Sequence, residues 1–262
     1  MVQIPKVLIS MAMQAEAAPL LSSLNLSPIA LFPPAMPYVA YSNASESIYL
    51  VHSGKCPSTS CDNVGTLHAS LMLSHALREI PGIRYVVNSG TCGGYASRGC
   101  SIGGAVMPSY CLFHDRHVDI PGTRFREYGV GRRDVDDQGG IRKAMEDKFG
   151  LKVGGVGTGD SLSITPLERS IHDENGVTVK EMEFAALHVA ATQAGVPIIG
   201  VKVVTDIIDG EKPSSEEFVE NLGKCAVVID KVTRDVVEVL RDKFKGEGEG
   251  KGEGQKMGRR VT

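Results

Sequence analysis

Short apolar runs alternate along this chain with longer segments in which apolar residues recur at helical spacing. Val7-Leu8-Ile9-Ser10 and Ile48-Tyr49-Leu50-Val51 read as buried strands. Tyr85-Val86-Val87-Asn88 is a third strand, and the glycines after it predict a turn. Ala105-Val106-Met107 and Lys152-Val153 each begin a further strand. Pro197 to Thr205 is almost wholly apolar, the pattern of a strand covered on both faces. Between these, the spacing predicts helices over about Val64 to Leu77, Ile141 to Phe149, and Phe184 to Ala194 with Gly195 as the stop. Asp62-Asn63 is placed to cap the first of them, and Ser214-Ser215-Glu216-Glu217 to begin a last helix running toward Lys243. The segment from Pro28 to Pro37 holds four prolines and reads as an ordered loop or hairpin connection. Strands separated by helices predict an α/β layered domain with a parallel or mixed sheet.

The 262 residues suit one sizeable domain. Residues 1–245 carry the folding pattern, while 246–262, rich in Gly, Glu and Lys, have nothing to bury and predict a disordered tail. Net charge of −3 gives no basic footprint for nucleic acid. No stretch approaches the roughly 18 unbroken apolar residues of a membrane helix. The start of the chain lacks the charged-then-apolar order of a signal peptide. The six cysteines include no C-x-x-C pair and no zinc-finger spacing with histidine, so they read as reduced thiols in a cytoplasmic protein. Asn43-Ala44-Ser45 matches a glycosylation triplet that is frequent by chance.

Four segments combine a strand end with polar or small residues, the place where open α/β sheets bind ligands. The first is Met11 to Glu16, where the carboxylate is either functional or a first-turn helix charge. The second is Asn88 to Gly94, whose glycines either form a tight turn or let backbone N–H groups approach a ligand. The third, Lys180 to Ala186, enters a helix with acidic residues that either complement its dipole or face a site. In the fourth, Lys202 to Gly210, an apolar strand ends in Thr205-Asp206. An acid there is either a cap or a proton donor whose pKa is raised by burial.

Together these segments resemble the nucleoside phosphorylase and nucleosidase superfamily. They look most like its 5′-methylthioadenosine nucleosidases of the plant type, over about residues 5 to 242. Phe113-His114-Asp115-Arg116, Thr158 to Leu162, and Lys212-Pro213 followed by Glu216-Glu217-Phe218 carry the likeness as well. The resemblance implies a single three-layer α/β/α domain with a central mixed, twisted sheet. It implies hydrolysis of the N-glycosidic bond of 5′-methylthioadenosine, and leaves S-adenosylhomocysteine open as a second substrate. Asp206 would protonate adenine N7, Glu183 would hold the ribose hydroxyls, and Glu16 would hold and deprotonate the attacking water. Thr91, Glu181 and Lys202 would support that water. Thr205 and the backbone near Leu162-Ser163 would hold the base, while Met13 and Met182 would line the sugar and thioether region. Neither metal nor organic cofactor is implied. A homodimer is implied, in which the segment from Phe113 to Pro121 closes the neighbouring 5′ pocket.

Phosphorylases of the closest architecture carry a G-D-P-x-R-type phosphate loop and an arginine before the second glycine segment. This chain has Met13-Gln14-Ala15-Glu16 and Asn88 in those places. A phosphate dianion beside Glu16 would be opposed by like charge, which favours water. Lys202 stands where bacterial nucleosidases have arginine, Leu162 where they stack an aromatic on adenine, and Ser215 where they place another aromatic. The alternatives are a phosphorylase of the same fold and a non-catalytic nucleoside-binding relative. Residues 53–63, with Cys56 and Cys61, have no role in this reading.

Overall fold

A computed structural model describes residues 5–137 and 140–253 of the chain. In chain order the elements are β1 (Lys6–Met11), α1 (Gln14–Ser23), β2 (Ser27–Ile29), β3 (Val39–Ser42), β4 (Ile48–His52), α2 (Thr66–Glu79), β5 (Ile83–Gly94) and β6 (Ala105–Phe113). There follow α3 (Phe125–Val130), β7 (Arg133–Asp134), α4 (Ile141–Phe149), β8 (Lys152–Thr158), α5 (Pro166–Asn175), β9 (Val177–Glu181), α6 (Phe184–Gln193), β10 (Ile198–Ile207) and α7 (Ser214–Glu253).

The sheet is mixed, as predicted. β1 lies parallel between β4 and β5, and β5 continues parallel to β10. Beyond that point it does not stay flat. β10 pairs antiparallel with β6, β6 and β8 pair in parallel, as do β8 and β9, and β9 returns antiparallel to β5. Five strands thereby close a ring, with β1, β4, β3 and β2 extending from β5 as an open wing.

Strand alternation assigns each side chain to a layer. On one face Leu8 and Val86 pack with Met72 and Leu73 of α2 and with Phe184 and Leu187 of α6. On the other Val7, Ile9, Tyr85 and Val87 meet Leu20 of α1, Met145 of α4 and Ile229, Val236 and Leu240 of α7. The result is helix, sheet, helix. Each of these fully buried aliphatic side chains contributes on the order of 1.5–3 kcal/mol.

Several local expectations change. Asp62 does not cap α2; its Oδ1 accepts the Gln14 N–H at 3.1 Å and so closes the start of α1. The start of α2 is met from elsewhere in the chain, as described below. Asn88 to Gly94 is not a turn but the last part of β5, paired to β10 as far as Gly94↔Ile207. α7 overruns its expected end near Lys243 and continues through Glu253, because extending an existing helix is far easier than starting one. Of the tail expected at 246–262, residues 254–262 lie outside the described residues. No helix of the described residues is long and apolar enough to cross a membrane.

Candidate active site

β1 delivers the chain into α1, where Glu16 occupies the first turn. Its Oε2 accepts the Met13 N–H at 3.1 Å, the helix-capping half of its work. Its Oε1 turns to β5 and accepts the N–H and the hydroxyl of Thr91, at 2.7 and 2.8 Å. Glu16 is therefore a first-turn helix charge that is also buried in the cavity wall, 1% exposed.

β10 places Thr205 and Asp206 at its end. The Thr205 hydroxyl lies 2.9 Å from Asp206 Oδ1 and fixes that carboxyl. Burial pushes the Asp206 carboxyl above its usual range, against hydrogen bonds from Ser214 and Thr205 that draw it down. The glycines of β5 make room for these acids. A Cβ at Gly93 would stand 2.8 Å from Asp206 Oδ2. Their function is thus to leave space in a strand, not to turn the chain.

β9 runs antiparallel to β5 and meets its end at Lys180↔Gly93. That contact carries Glu181 and Glu183 to the place where β1, β5 and β10 finish. Glu181 Oε2 accepts the Lys202 ammonium at 2.8 Å and the N–H groups of Glu183 and Phe184 at 2.9 and 2.8 Å. The Thr158 hydroxyl donates to its other oxygen. Burial would raise the Glu181 carboxyl, but the Lys202 charge and these donors outweigh it and hold it below its usual range. Burial would likewise lower Lys202, and the carboxylates of Glu181 and Glu183 reverse that.

Glu183 has the opposite balance. Burial and the neighbouring Glu181 charge push its carboxyl up to about 7. Its Oε1 accepts the Gly65 N–H at 2.8 Å, the first free amide ahead of α2. Gly65 has φ +101°, and a Cβ there would meet Asp160 at 2.4 Å, so only glycine fits this approach. Asp160 Oδ1 in turn accepts the Thr66 N–H, and its Oδ2 the Thr66 hydroxyl, each at 2.6 Å. Glu183 and Asp160 together do the capping that the sequence assigned to Asp62 and Asn63.

These elements enclose a cavity of about 310 Å³. Ten of the eleven residues singled out from sequence line it: Met13, Glu16, Thr91, Leu162, Ser163, Glu181, Met182, Glu183, Thr205 and Asp206. Lys202 does not. It lies beneath the floor, 1% exposed, because its ammonium is drawn onto Glu181. Its ammonium is held by Glu181 and does not line the cavity.

Among the residues at the site to which the sequence assigns no functional role are Lys180, Ser214 and Phe218 in the lining and, beside it, Asp160. Lys180 lines the cavity and donates to the carbonyls of Ser161 and Leu162, which shapes that loop. A lysine in the apolar run Val177-Thr178-Val179 was the available signal. Ser214 and Phe218 line it from α7, four residues apart and so on one helical face. Asp160 stands in the Thr158 to Leu162 phrase that carries the resemblance, but its contact with Thr66, 94 positions away, has no local signal. No group of three or more His, Cys, Asp or Glu side chains among the described residues could hold a metal.

Residues 6–238 match the family described as the Phosphorylase superfamily. The chain is 34% identical over 245 residues to the 5′-methylthioadenosine nucleosidase of Arabidopsis thaliana, which covers 92% of this chain and 89% of that protein. It is also 34% identical to the 5′-methylthioadenosine/S-adenosylhomocysteine nucleosidase of Arabidopsis thaliana, covering 88% of this chain and 90% of that protein. The solved structure of Arabidopsis thaliana 5′-methylthioadenosine nucleosidase in apo form superposes with a TM-score of 0.84 at 32% identity, covering 90% of this chain and 96% of that one.

Proposed function

Because the chain belongs to the phosphorylase superfamily, and within it to the 5′-methylthioadenosine nucleosidase family, we propose that it hydrolyses the N-glycosidic bond of 5′-methylthioadenosine to adenine and 5-methylthioribose. The observation that carries this reading is the gathering of Glu16, Glu183 and Asp206 around one cavity whose described lining residues include no arginine.

The chemistry follows from charge. Bond cleavage leaves positive character on the ribose and negative character on adenine. Asp206, whose carboxyl keeps its proton to higher pH than usual, is the acid that protonates adenine N7. Glu183, once ionised, accepts the ribose hydroxyls and stabilises the positive sugar. Glu16 keeps Oε2 lightly bonded and so can take a proton from a water at C1′, while Thr91 holds its other oxygen. Glu181 stays ionised on Lys202 and supplies the fixed floor. Met13 and Met182 offer soft, polarisable contact to a thioether.

Water is favoured over phosphate as nucleophile by the same arrangement. A phosphate dianion needs several cations, and the described lining holds one, Lys180, whose ammonium donates to the carbonyls of Ser161 and Leu162, while Lys202 is buried on Glu181. The same scarcity favours 5′-methylthioadenosine over S-adenosylhomocysteine, whose amino-acid carboxylate would have Lys180 alone to turn to. A homodimer belongs to the proposal as well. Leu67 and Leu71 project from α2 at 65% and 53% exposure, and Leu162 stands exposed at the cavity. A fully active monomer in light scattering would count against the dimer.

The direct test is Asp206→Asn. Calorimetric titration should show 5′-methylthioadenosine still bound, with turnover reduced ~10²–10⁴-fold, the usual worth of a general acid. Undiminished turnover would remove Asp206 from the mechanism.

A further inference from the structure

The loop between β4 and α2 has no part in the proposed hydrolysis, yet it is joined to the cavity at three points. Asp62 closes the start of the helix that carries Glu16, Val64 lines the cavity, and the Gly65 N–H is bonded to Glu183. Within this loop Lys55 and Asp62 form an antiparallel bridge. The Asn63 N–H donates to the Gly54 carbonyl at 2.9 Å and the Cys56 N–H to the Cys61 carbonyl at 2.8 Å. With Lys55 opposite Asp62, the next pair inward is Cys56 opposite Cys61.

Directly opposed residues of an antiparallel pair direct their side chains to the same face. One bond, from the Cys56 N–H to the Cys61 carbonyl at 2.8 Å, joins the two residues directly, while the Cys56 carbonyl takes the Ser60 N–H at 2.8 Å and tightens the loop tip; opposed residues held this closely fall in the roughly 4.4–6.8 Å Cα range that a disulfide bridges. Both thiols also turn into the same loop tip: Cys56 Sγ lies 3.1 Å from the Ser58 hydroxyl, and Cys61 Sγ lies 3.7 Å from the Thr59 carbonyl. Cys61 is exposed and Cys56 partly so, whereas Cys92, Cys100, Cys111 and Cys225 are buried.

We propose that Cys56 and Cys61 are a reversible dithiol–disulfide pair, a modification site for low-molecular-weight disulfides on the loop that borders the cavity. The chemistry is two successive exchanges. The Cys56 thiolate attacks one sulfur of the small disulfide, and the other sulfur leaves as a thiolate that takes up the Cys56 proton from solvent. Cys61 then loses its proton, attacks Sγ of Cys56 and expels the second small thiolate. The two cysteines are oxidised by two electrons, and one small disulfide is reduced to two thiols. Cys56 is suited to attack first: hydrogen bonds from Ser58 and Thr59 bring its thiol down to about 6, so it is largely thiolate at neutral pH. A bond closing so short a loop adds little chain-entropy stabilisation, which keeps it reducible.

The test incubates the reduced full-length protein with oxidised glutathione near neutral pH, followed by acid quench, alkylation and peptide mass mapping. The expected product is a peptide with Cys56 linked to Cys61, restored to two thiols by dithiothreitol, while the four buried cysteines stay reduced. Cys61→Ser should stop at a mixed disulfide on Cys56. Iodoacetamide should alkylate Cys56 with a midpoint near pH 6, and Ser58→Ala should move that midpoint upward. Mixed disulfides that persist on both cysteines of the unsubstituted protein without closing the ring would overturn the proposal. So would the absence of any reaction at Cys56.

Discussion

At the floor of the cavity, the Glu181 carboxylate takes donors from Lys202, Thr158 and two backbone N–H groups. In the wall two residues later, the Glu183 carboxylate accepts among the described residues the Gly65 N–H and little else. Both side chains are buried, at 4% and 8% exposure. One is held ionised below its usual range, and the other is pushed up to about 7. Burial alone therefore does not decide the state of a carboxylate; the donors brought to it do. The floor spends its hydrogen bonds on staying fixed. The wall leaves carboxyl capacity for a substrate, a proton and a water.

Substitutions can separate these two characters. The largest effect expected is on turnover at the wall. Glu16→Gln can keep its oxygen on Thr91 but then turns its amide NH2 toward the Met13 N–H, losing that cap; it also removes the base, so turnover should fall ~10²–10⁴-fold while stability drops only by the ~1 kcal/mol of a lost cap. An equal loss of stability would show Glu16 to be structural only.

At the floor the main loss should be stability. Lys202→Met leaves Glu181 buried without its cation, at a cost of roughly 3–5 kcal/mol. Glu181→Gln with Lys202→Met should recover a substantial part of that loss, because neither charge is then stranded. Denaturant unfolding of the two variants would read this, and a single substitution that unfolds like the parent would refute the pairing.

Glu183→Gln should behave in neither way: activity falls while stability rises. The native protein holds the Glu183 proton up to about 7, whereas the unfolded chain releases it near the ordinary ~4.3. Stability is therefore lost as pH rises through that window. The melting temperature of Glu183→Gln relative to the parent should increase between those pH values and level off above them. A constant difference across pH would show that Glu183 is not strained by its setting. In the parent, kcat/KM should rise as pH passes through about 7 and Glu183 ionises.

The smallest effect lies at the exposed edge. Leu162 is 47% exposed, so Leu162→Ala should raise KM only several-fold and leave kcat and stability close to the parent.

The sequence carried the layers of this fold clearly, because strand alternation and helix spacing are local. It also carried Glu16, Glu183 and Asp206 as acids at strand ends, since each sits beside the strand that positions it. What it hid was long-range. The ring closure depends on β9 meeting β5 at Gly93, and α2 starts on carboxylates from Asp160 and Glu183 rather than on its neighbour Asp62. The glycines after Asn88 read equally as a turn or as a close approach to a ligand, because glycine serves both turns and crowded strands. Only the carboxylates arriving from other elements show which applies here.

The central claim is that this wall of carboxylates activates water. The most direct measurement is product analysis after incubation with 5′-methylthioadenosine in phosphate-free buffer. Adenine and free 5-methylthioribose should form at a rate unchanged by added phosphate. Adenine formed only with phosphate, together with the sugar 1-phosphate, would contradict it.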